Sequence, residues 1–532
     1  MAIPCIKIMF PLLLMMYLPV LPAQSETYYI SPTGSNTNPG TSARPWLTFS
    51  YAINPSRATC GDTLLLLDGT YGDGTSTGKI SISLACTAGN PLTVRAVNQR
   101  KAKIVDNGTG IAVNVTKSAY IVVDGLYATS TDNPSSTASN GRPFGIADSN
   151  NITFRNLVGK NPNRYANTHL FASLRSHNVL YEDLEGYVFH RHCATGWQST
   201  NMVVRRLYCN PRGGRIPGGF QSSNGLGSGD SLISFYPCRD CILENAIADG
   251  TTNAMFLSEM NSTYGGGVLM RGSQILGSIC YKCNYGNGIY INSRNNSGLN
   301  YTPQNITVRD VAFIDQDSKS YAIRVSDGVN ITLDRITAMS TPGQGATTQR
   351  GLSMDDNQGG TIGTDATQNS VTITNYQATG FAGRGFSISG FNTWSGEGII
   401  SHNNDNADIP AFTDPRWSNA STASPGMGNC KVWVPVGAAA KGAGVGGADI
   451  GATILYRYNN GKLTTTPLWD PRTGEFPHGA EDADGTNRIP GESLFDIHKR
   501  LNVNTRECPF PKNYGDGDSD TKGPAAPVLK VS

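Results

Sequence analysis

Charged residues are scarce in this chain. Only 15 % of its 532 residues are Asp, Glu, Lys or Arg, and the formal net charge is +2. There is no basic stripe and no interleaving of basic with aromatic residues, so the sequence predicts no nucleic-acid partner. Beyond the N-terminus, no apolar run approaches the roughly 18 residues of a membrane-spanning helix. These absences exclude two large classes of partner, nucleic acid and the membrane interior.

The N-terminal segment 1–25 has the features of a signal peptide. Lys7 supplies a weak positive region, the stretch from Ile8 to Val20 is apolar, and Ala23-Gln24-Ser25 is a small-x-small cleavage site. The sequence therefore predicts export: a secreted, extracellular or cell-surface protein, or a periplasmic one.

Cysteine is present in an even number once Cys5 is removed with that segment, which in an exported chain predicts disulfide bonds. Local pairing predicts Cys60–Cys86, Cys193–Cys209 and Cys430–Cys508. The remaining cysteines form two CxxC pairs, Cys238 with Cys241 and Cys280 with Cys283. These pairs fit a zinc site, although their separation exceeds that of zinc ribbons. They fit equally well as stacked half-cystines or as buried small residues.

A seven-residue pattern recurs eight times: polar, apolar, spacer, apolar, two polar residues, apolar. The copies start 31, 27, 23, 39, 65, 25 and 40 residues apart. Recurrence at 20–50 residues in a helix-poor chain predicts a solenoid of stacked strands. The copies begin at Tyr120, Asn151, Asn178, Asn201, Asp240, Asn305, Asn330 and Ser370.

Each copy alternates apolar residues, as Ile152 and Phe154 do, which is the period of a strand with one buried face. The polar pair that follows, such as Arg155-Asn156, predicts a bend. Because one coil of about 25 residues cannot close a core, coils must stack at about 4.8 Å, and parallel connections are right-handed. We therefore predict an all-β fold, a right-handed parallel β-helix with a C-terminal irregular or β extension; a β-sandwich with many Asn turns is the alternative. An Asn that opens so many copies predicts a left-handed turn position whose side chains stack.

The N-terminal region adds a resemblance. TYYISPTGSNTNPGTSARPWLTFSYAI from Thr27, GDTLLLLDGTY from Gly61 and GNPLTVRA from Gly89 resemble the opening coils of bacterial secreted β-helix proteins of the pectate-lyase-like superfamily. The similarity covers about 90 residues, and the repeats extend it to about residue 400. It implies a solenoid that acts on polysaccharides laid along one flank.

Composition divides the rest of the chain. We expect the β-helix over residues 26–403, a linker over 404–427, a C-terminal extension over 428–513 and a flexible tail over 514–532. The Gly/Ala-rich stretch from Val436 is either a flexible loop or a chain lying on the solenoid surface. Asn460-Gly461 predicts a hairpin turn.

A uronate lyase needs a base for the C5 proton and a positive charge, or bound Ca²⁺, to neutralise the carboxylate. Histidines, arginines and carboxylates are densest between residues 187 and 259, where alternation along a strand places His190 and His192 on one side and Arg191 on the other. The catalytic candidates are His190, His192, Arg215 and Asp230. The substrate-binding candidates are Arg191, Arg212, Trp197, Tyr236 and Glu259. The candidate ligands for Ca²⁺ are Asp230 and Asp249.

The same residues have a structural interpretation, in which Arg and Glu form solvated ladders between coils and the histidines are packed. The chain lacks the NTD, GHG and RIK motifs of polygalacturonases and the NKS and RHG motifs of alginate-type lyases. The resemblance therefore implies the fold and no catalytic residue. Two functions remain: a protein that binds and cleaves an extracellular uronate-containing polysaccharide, as a lyase rather than a hydrolase, or a non-catalytic rod that assembles with itself into a filament or surface matrix.

Overall fold

The computed structural model describes residues 25–515 with internal gaps, so the predicted signal peptide lies almost wholly outside it, and so does the tail after 515. Within the described residues, no helix is long and apolar enough to cross a membrane. The gaps are residue 55, 73–77, 136–140, 212–230, 252, 261–267, 284–285, 295–301, 317–320, 342–347, 356–369, 390, 392, 407–411 and 478–496.

Strands dominate the described chain. The first half contains β1 (Thr27–Ile30), β2 (Thr63–Leu66), β3 (Gly69–Tyr71), β4 (Ile80–Ile82), β5 (Leu92–Ala96), β6 (Ala102–Val105), β7 (Ile111–Thr116), β8 (Ala119–Asp124), β9 (Tyr127–Thr129), β10 (Arg142–Ala147), β11 (Asn150–Arg155), β12 (Val158–Lys160), β13 (His169–Leu174), β14 (His177–Tyr187), β15 (His192–Asn210) and β16 (Ser231–Arg239).

The second half contains β17 (Ile242–Glu244), β18 (Ile247–Asp249), β19 (Asn253–Met260), β20 (Gln274–Leu276), β21 (Ile279–Tyr281), β22 (Asn287–Arg294), β23 (Thr307–Gln316), β24 (Tyr321–Val325), β25 (Ile331–Ser340), β26 (Arg350–Met354), β27 (Ser370–Thr379), β28 (Arg384–Ile388), β29 (Thr393–His402), β30 (Trp417–Ser421), β31 (Tyr456–Asn459) and β32 (Lys462–Pro467). Two short helices, α1 (Phe49–Ala52) and α2 (Ile497–Arg500), and a 3-10 turn at Val445–Gly447 complete the elements.

Strands β1 to β30 form a right-handed parallel β-helix, which confirms the predicted fold and excludes the sandwich. Each coil contributes to three parallel faces. The first sheet runs through β7, β10, β13 and the start of β15; the second through β8, β11 and the start of β14; the third through β9, β12 and the end of β14. The register is maintained from coil to coil: Ile152 pairs with Ile121 on one side and with Val179 on the other. We call a stack of register-equivalent residues on successive coils a column.

The core follows from the alternation in the sequence. Ile152 and Phe154 are fully buried in the solenoid interior, together with the aliphatic and aromatic residues of the coils above and below. Aromatic residues stack in the same way, since Phe144 and Phe171 are register partners with ring centroids 5.2 Å apart.

The predicted bend after the second sheet is a single left-handed residue. Asn156, Asp183 and Arg206 occupy it with φ of 56°, 55° and 51°, and the position recurs in later coils at Asn245, Asp310, Arg335 and Asn375. The polar pair of the repeat is therefore a backbone requirement, because only residues that tolerate the left-handed region turn the chain there.

The Asn that opens the repeats is also left-handed, with φ between 52° and 57° at Asn151, Asn178, Asn201, Asn305 and Asn330. These side chains form the predicted ladder. The amide of Asn178 donates to the carbonyl of Asn151 (3.3 Å), and that of Asn201 donates to Asn178 (3.1 Å).

Both edges of β1 are occupied at the N-terminal end of the solenoid. One edge pairs with β2, and on the other the N–H of Tyr29 donates to Gly40 while its carbonyl accepts from Trp46. Thr48 caps α1 by accepting from the N–H of Tyr51. This segment closes the first coil.

All ten described cysteines pair. Cys60–Cys86, Cys193–Cys209 and Cys430–Cys508 are the predicted disulfides, with Cα–Cα distances of 5.3, 6.3 and 5.1 Å. The two CxxC motifs close on themselves as Cys238–Cys241 and Cys280–Cys283, which leaves no thiolate there for zinc.

The solenoid continues beyond the boundary expected at residue 403, since β30 pairs in parallel with β29. The chain then reverses and lies along the bend between the second and third sheets, so the Gly/Ala-rich stretch follows the solenoid surface. Backbone N–H groups of this extension donate to side chains at or beside the bend, from later to earlier coils. The donor–acceptor pairs are Val445 with Asn375, Ala452 with Thr337, Tyr458 with Asn245, and Asn460 with Glu244.

Several charged residues at and beside the bend are consequently buried and do not form the solvated ladder that the structural interpretation expected. Glu244 is fully buried and accepts from the N–H groups of Asn460 and Gly461 at 3.1 Å each, at the predicted hairpin turn between β31 and β32. Arg205 is 4 % exposed and donates to both Glu182 and Asn459.

The outer face of the third sheet is apolar and packs against the extension. Tyr208, Ile247 and Ile279 on the solenoid share a hydrophobic cluster with Trp433 and Trp469 of the extension. Tyr514, assigned to the tail on sequence, belongs to this cluster. It is 7 % exposed, and its hydroxyl accepts from the N–H of Trp469 (2.9 Å) and donates to the carbonyl of Leu455 (2.8 Å).

The Asn ladder gives a testable prediction. Asn178→Ala removes two side-chain hydrogen bonds and places Ala in the left-handed region, which together should cost about 2–3 kcal/mol. Asn178→Gly loses the same bonds but tolerates the backbone, so it should lose less. Thermal unfolding of the two variants measures the loss of stability in each. Equal losses would contradict the cost assigned to Ala in the left-handed region.

The C-terminal boundary of the extension, near Tyr514, gives a second testable prediction. A chain ending at residue 515 should unfold at the wild-type temperature, whereas one ending at residue 513 loses a buried tyrosine worth about 3–5 kcal/mol. Tyr514→Phe should lose about 1 kcal/mol, because only the hydroxyl bonds disappear. Limited proteolysis of the extension, followed by mass spectrometry, locates the change.

Candidate functional site

One column of the first sheet contains a cationic and aromatic cluster. Arg142, His169 and His192 open β10, β13 and β15, and the strand register places His169 directly against His192. Phe144 pairs with Phe171, so Arg142, two residues earlier, stands at the same position as His169.

Arg142 is a buried cation. It is 7 % exposed, its Nε has no hydrogen-bond partner, and among the residues that the structure describes no carboxylate pairs with it. Burial lowers the pKa of Arg142 from 12.5 to about 10. A guanidinium without an acidic partner is costly to bury, because its charge loses hydration without compensation. The position therefore favours an anion.

The two imidazoles stack with ring centroids 5.1 Å apart and planes 4° from parallel. Burial, together with the charge of Arg142 and Arg191, holds the pKa of His169 well below 6.5, and burial with Arg191 and His169 does the same for His192. Both rings are therefore neutral near pH 6.5 and can accept a proton. The Nδ1 atom of His192 lies 2.5 Å from the hydroxyl of Ser231 and 3.0 Å from that of Ser234.

His169 is the more available base. The residue is half-buried, but its Nδ1 atom is itself buried, without a hydrogen-bond partner in the described part of the chain, so a substrate proton could be taken up only at Nε2. His192, at 2 % exposure and hydrogen-bonded to serine, is better suited to orient His169 through the ring stack.

Aromatic residues lie across the same face. Tyr236 follows Phe235, which is in the core, so Tyr236 points outward, and its ring lies 5.9 Å from His192 and from Trp197. Between the aromatic and cationic columns, the outward positions of β10 and β13 are the small residues Gly145 and Ala172. The side chain of Ile111 covers Gly145, since a Cβ built there would lie 3.0 Å from Cδ1 of Ile111, so a sugar ring would have to contact the aromatic residues Trp197 and Tyr236 instead.

We call Arg142, His169, His192, Trp197 and Tyr236 the Arg142 site. It has a cation to hold a carboxylate, a neutral base and an aromatic wall. Those are the groups that proton abstraction next to a carboxylate requires.

The sequence-predicted residues are placed as follows. His192, Trp197 and Tyr236 come together on the outer face of the first sheet. His190 is 2 % exposed, but it does not share a strand with His192 as predicted: Val188 is left-handed (φ 54°), and residues 188–191 form a bend between β14 and β15. Alternation fails across that bend, so Arg191 lies near enough to His169 and His192 to lower the pKa of both.

Asp249 lies away from this cluster. It is on the third sheet, under the extension, where its carboxylate accepts from the hydroxyl of Tyr208 (2.6 Å) and pairs with Arg500. A carboxylate so engaged does not fit a calcium ligand. Among the described residues, no three of His, Cys, Asp and Glu are arranged to hold a metal ion.

The other predicted residues cannot be placed. Arg212, Arg215 and Asp230 lie outside the described residues, and so does the side chain of Glu259, which belongs to β19.

Sequence reasoning missed Arg142 and His169. The signal was present: Arg142, His169 and His192 each stand nine residues before a repeat Asn, at 151, 178 and 201. Equal offsets from a repeat residue predict one column, so the search could have followed the repeat instead of local residue density.

The comparisons with known proteins concern the fold. No protein-family model and no curated protein sequence matches the chain. Among solved structures, it is similar to the pectate lyase Pel9A, with 14 % identity over 81 % of this chain and 96 % of that one, and a TM-score of 0.44. A PL6-family polysaccharide lyase from Pseudopedobacter saltans gives 12 % identity over 70 % and 90 %, with a TM-score of 0.43. The catalytic domain of a GH87 α-1,3-glucanase gives 10 % identity over 76 % and 69 %, with a TM-score of 0.38.

Proposed function

We propose that the protein binds a uronate-containing polysaccharide at the Arg142 site and cleaves it by β-elimination. One observation supports this above all: a buried arginine without a described acidic partner stands in one column with two neutral imidazoles. A carboxylate is the sugar group that would compensate the guanidinium, preferably through two parallel N–H···O bonds.

The reaction uses each group once. Arg142 holds the uronate carboxylate and stabilises the negative charge that develops on it when the C5 proton leaves. Neutral His169 takes that proton. The electron pair of the C5–H bond forms the C4–C5 double bond, the C4–O bond breaks, and water protonates the departing sugar oxygen. Trp197 and Tyr236 contact the faces of neighbouring sugar rings.

No step requires a metal. Calcium as a further partner of the carboxylate remains a proposal of the sequence, and reactions with added Ca²⁺ or a chelator test it separately.

Export remains a proposal that the five disulfide bonds support, because such bonds form in oxidising compartments. The self-assembling rod has less support. End-to-end stacking needs a free strand edge, and both edges of β1 are occupied.

The arginine gives the decisive prediction. Arg142→Gln should weaken binding of galacturonate or alginate oligomers about tenfold or more, since a hydrogen bond to a charged group contributes about 1.5–3 kcal/mol. Because the variant removes an uncompensated buried charge, its unfolding temperature should stay equal or rise.

Calorimetric titration and thermal unfolding measure the two effects. Arg175→Gln is the control, since that arginine is half-exposed and paired with Asp148. Unchanged binding with a fall in stability would show that Arg142 is only structural.

The pH dependence follows from the lowered pKa of His169 and His192. With folded-state values below 6.5, a reaction that needs a neutral imidazole should keep its rate as pH falls through 6.5 and lose it at lower pH. The free energy of unfolding should change with pH in the same direction. The contribution of the two histidines is fully present above pH 6.5 and declines below it, because the unfolded chain binds protons there that the folded protein does not.

Release of unsaturated oligosaccharides against pH, in wild type and in His169→Gln, measures this rate. His402→Gln on β29 is the matched control. An acidic limb at or above pH 6.5 would contradict the assignment of the base.

A further inference from the structure

The column that contains Arg142 continues along the first sheet for the length of the solenoid. His192 pairs with Ser231, which pairs with Asn253 of β19; the register of β19 with β22 then leads to Asn287, and Asn287 pairs with Tyr321. Tyr321 pairs with Arg350 and Arg350 with Arg384. In order, the column is Ile111, Arg142, His169, His192, Ser231, Asn253, Asn287, Tyr321, Arg350 and Arg384.

The composition of this column is unusual for a chain with so few charges. Five of its ten residues are Arg or His and none is acidic. The bend between the second and third sheets is the opposite case, since its arginines are matched by carboxylates, as Arg206 is by Asp183 and Arg335 by Asp310. The three arginines of the column are buried (Arg142), half-buried (Arg350) and exposed (Arg384), and a column with arginines and no acidic residue favours an anionic ligand.

Arg350 and Arg384 stand directly opposite each other on neighbouring strands, about 4.8 Å apart in backbone spacing. Like charges in this position repel. The nearness of Arg384 lowers the pKa of Arg350, in addition to the larger effect of burial. Arg384 is exposed, and no described carboxylate pairs with it.

The carboxylate of Asp355, directly after the far end of β26, is engaged with a different arginine. Asp355 accepts from Nε and Nη2 of Arg324 at 3.1 and 2.9 Å and from the hydroxyl of Ser353 at 2.9 Å. The guanidinium of Arg324 is thereby held over the rings of Tyr290 (5.3 Å) and Tyr321 (5.6 Å). Both tyrosines are half-buried, and Tyr321 is the register partner of Arg350.

We propose that Tyr321, Arg350 and Arg384 form a second subsite for the same anionic polysaccharide, downstream of the Arg142 site along the solenoid axis. Six coils separate Arg350 from His169, a distance of about 29 Å at about 4.8 Å per coil. This inference rests on the proposed function and adds to it that the substrate is a polymer long enough to reach both subsites.

The test separates the two proposals by ligand length. Galacturonate oligomers of defined size, with alginate oligomers as a second series, are titrated into the full-length mature chain by calorimetry. Short oligomers should bind at the Arg142 site alone, and oligomers that span about 29 Å should bind at least tenfold more tightly. Arg384→Gln combined with Arg350→Gln should abolish this gain and leave the affinity of short oligomers unchanged.

Two controls accompany the double variant. Arg95→Gln removes an exposed arginine from β5 of the second sheet, so it tests for general loss of surface charge. Tyr321→Ala should reduce the gain for long oligomers in part, because it removes the aromatic surface and keeps both charges.

The outcomes are distinct. Binding of short oligomers that Arg142→Gln weakens, without any gain for long ones, would overturn the second subsite and leave the proposed function standing. A gain for long oligomers that Arg95→Gln reduces as much as the double variant would overturn it as well. Absence of uronate binding at any length would overturn the proposed function and this inference with it.

Discussion

Parallel stacking at about 4.8 Å is the constraint on which the rest of this protein depends. Each residue lies directly above and below the residue at the same position of the neighbouring coils. The side chains of one column must therefore be compatible with one another at that spacing. Apolar columns do so by packing, as Phe144 does on Phe171. Asn columns do so because one amide both donates and accepts. Charged columns need alternation of sign, which the bend provides where Arg205 and Arg206 both pair with Glu182.

The C-terminal extension buries the charged residues beside the bend and so changes their energetic contribution. A ladder of exposed ion pairs adds little stability, but the bend ladder is covered by chain that donates backbone N–H groups to it. Glu244 illustrates the consequence: burial raises its pKa, and the N–H groups of Asn460 and Gly461 counteract that rise. With the third sheet also packed against the extension, the column of the first sheet carries the remaining arginines, of which Arg142 is buried and Arg384 is exposed.

The repeat made the architecture predictable, because the periodicity of apolar residues and the left-handed Asn are local signals. Three disulfides and the hairpin turn at Asn460-Gly461 were predictable for the same reason. The site was only partly predictable. The bend at Val188 separates His190 from His192, and a β-branched residue in the left-handed region is not expected from sequence. Asp249 was misplaced because its partner, Arg500, comes from 251 residues further along the chain, and no local pattern shows that the extension returns to it.

Arg142 and its column are the exception to the stacking constraint, and that exception is the argument for function. A buried cation could have been matched by an aspartate one coil away, as Arg335 is by Asp310. In its place the neighbour is His169, whose pKa the arginine lowers further, so the column keeps its imidazoles neutral and, among the described residues, no carboxylate compensates its guanidinium. Two apolar residues at these positions would stabilise the fold better than this arrangement. A bound carboxylate would reverse the balance: it would pair with the arginine, and it would favour protonation of the same imidazole that takes the C5 proton. Substrate binding by Arg142 and proton transfer to His169 would therefore both depend on the carboxylate of the ligand, which supplies the negative charge that the column lacks.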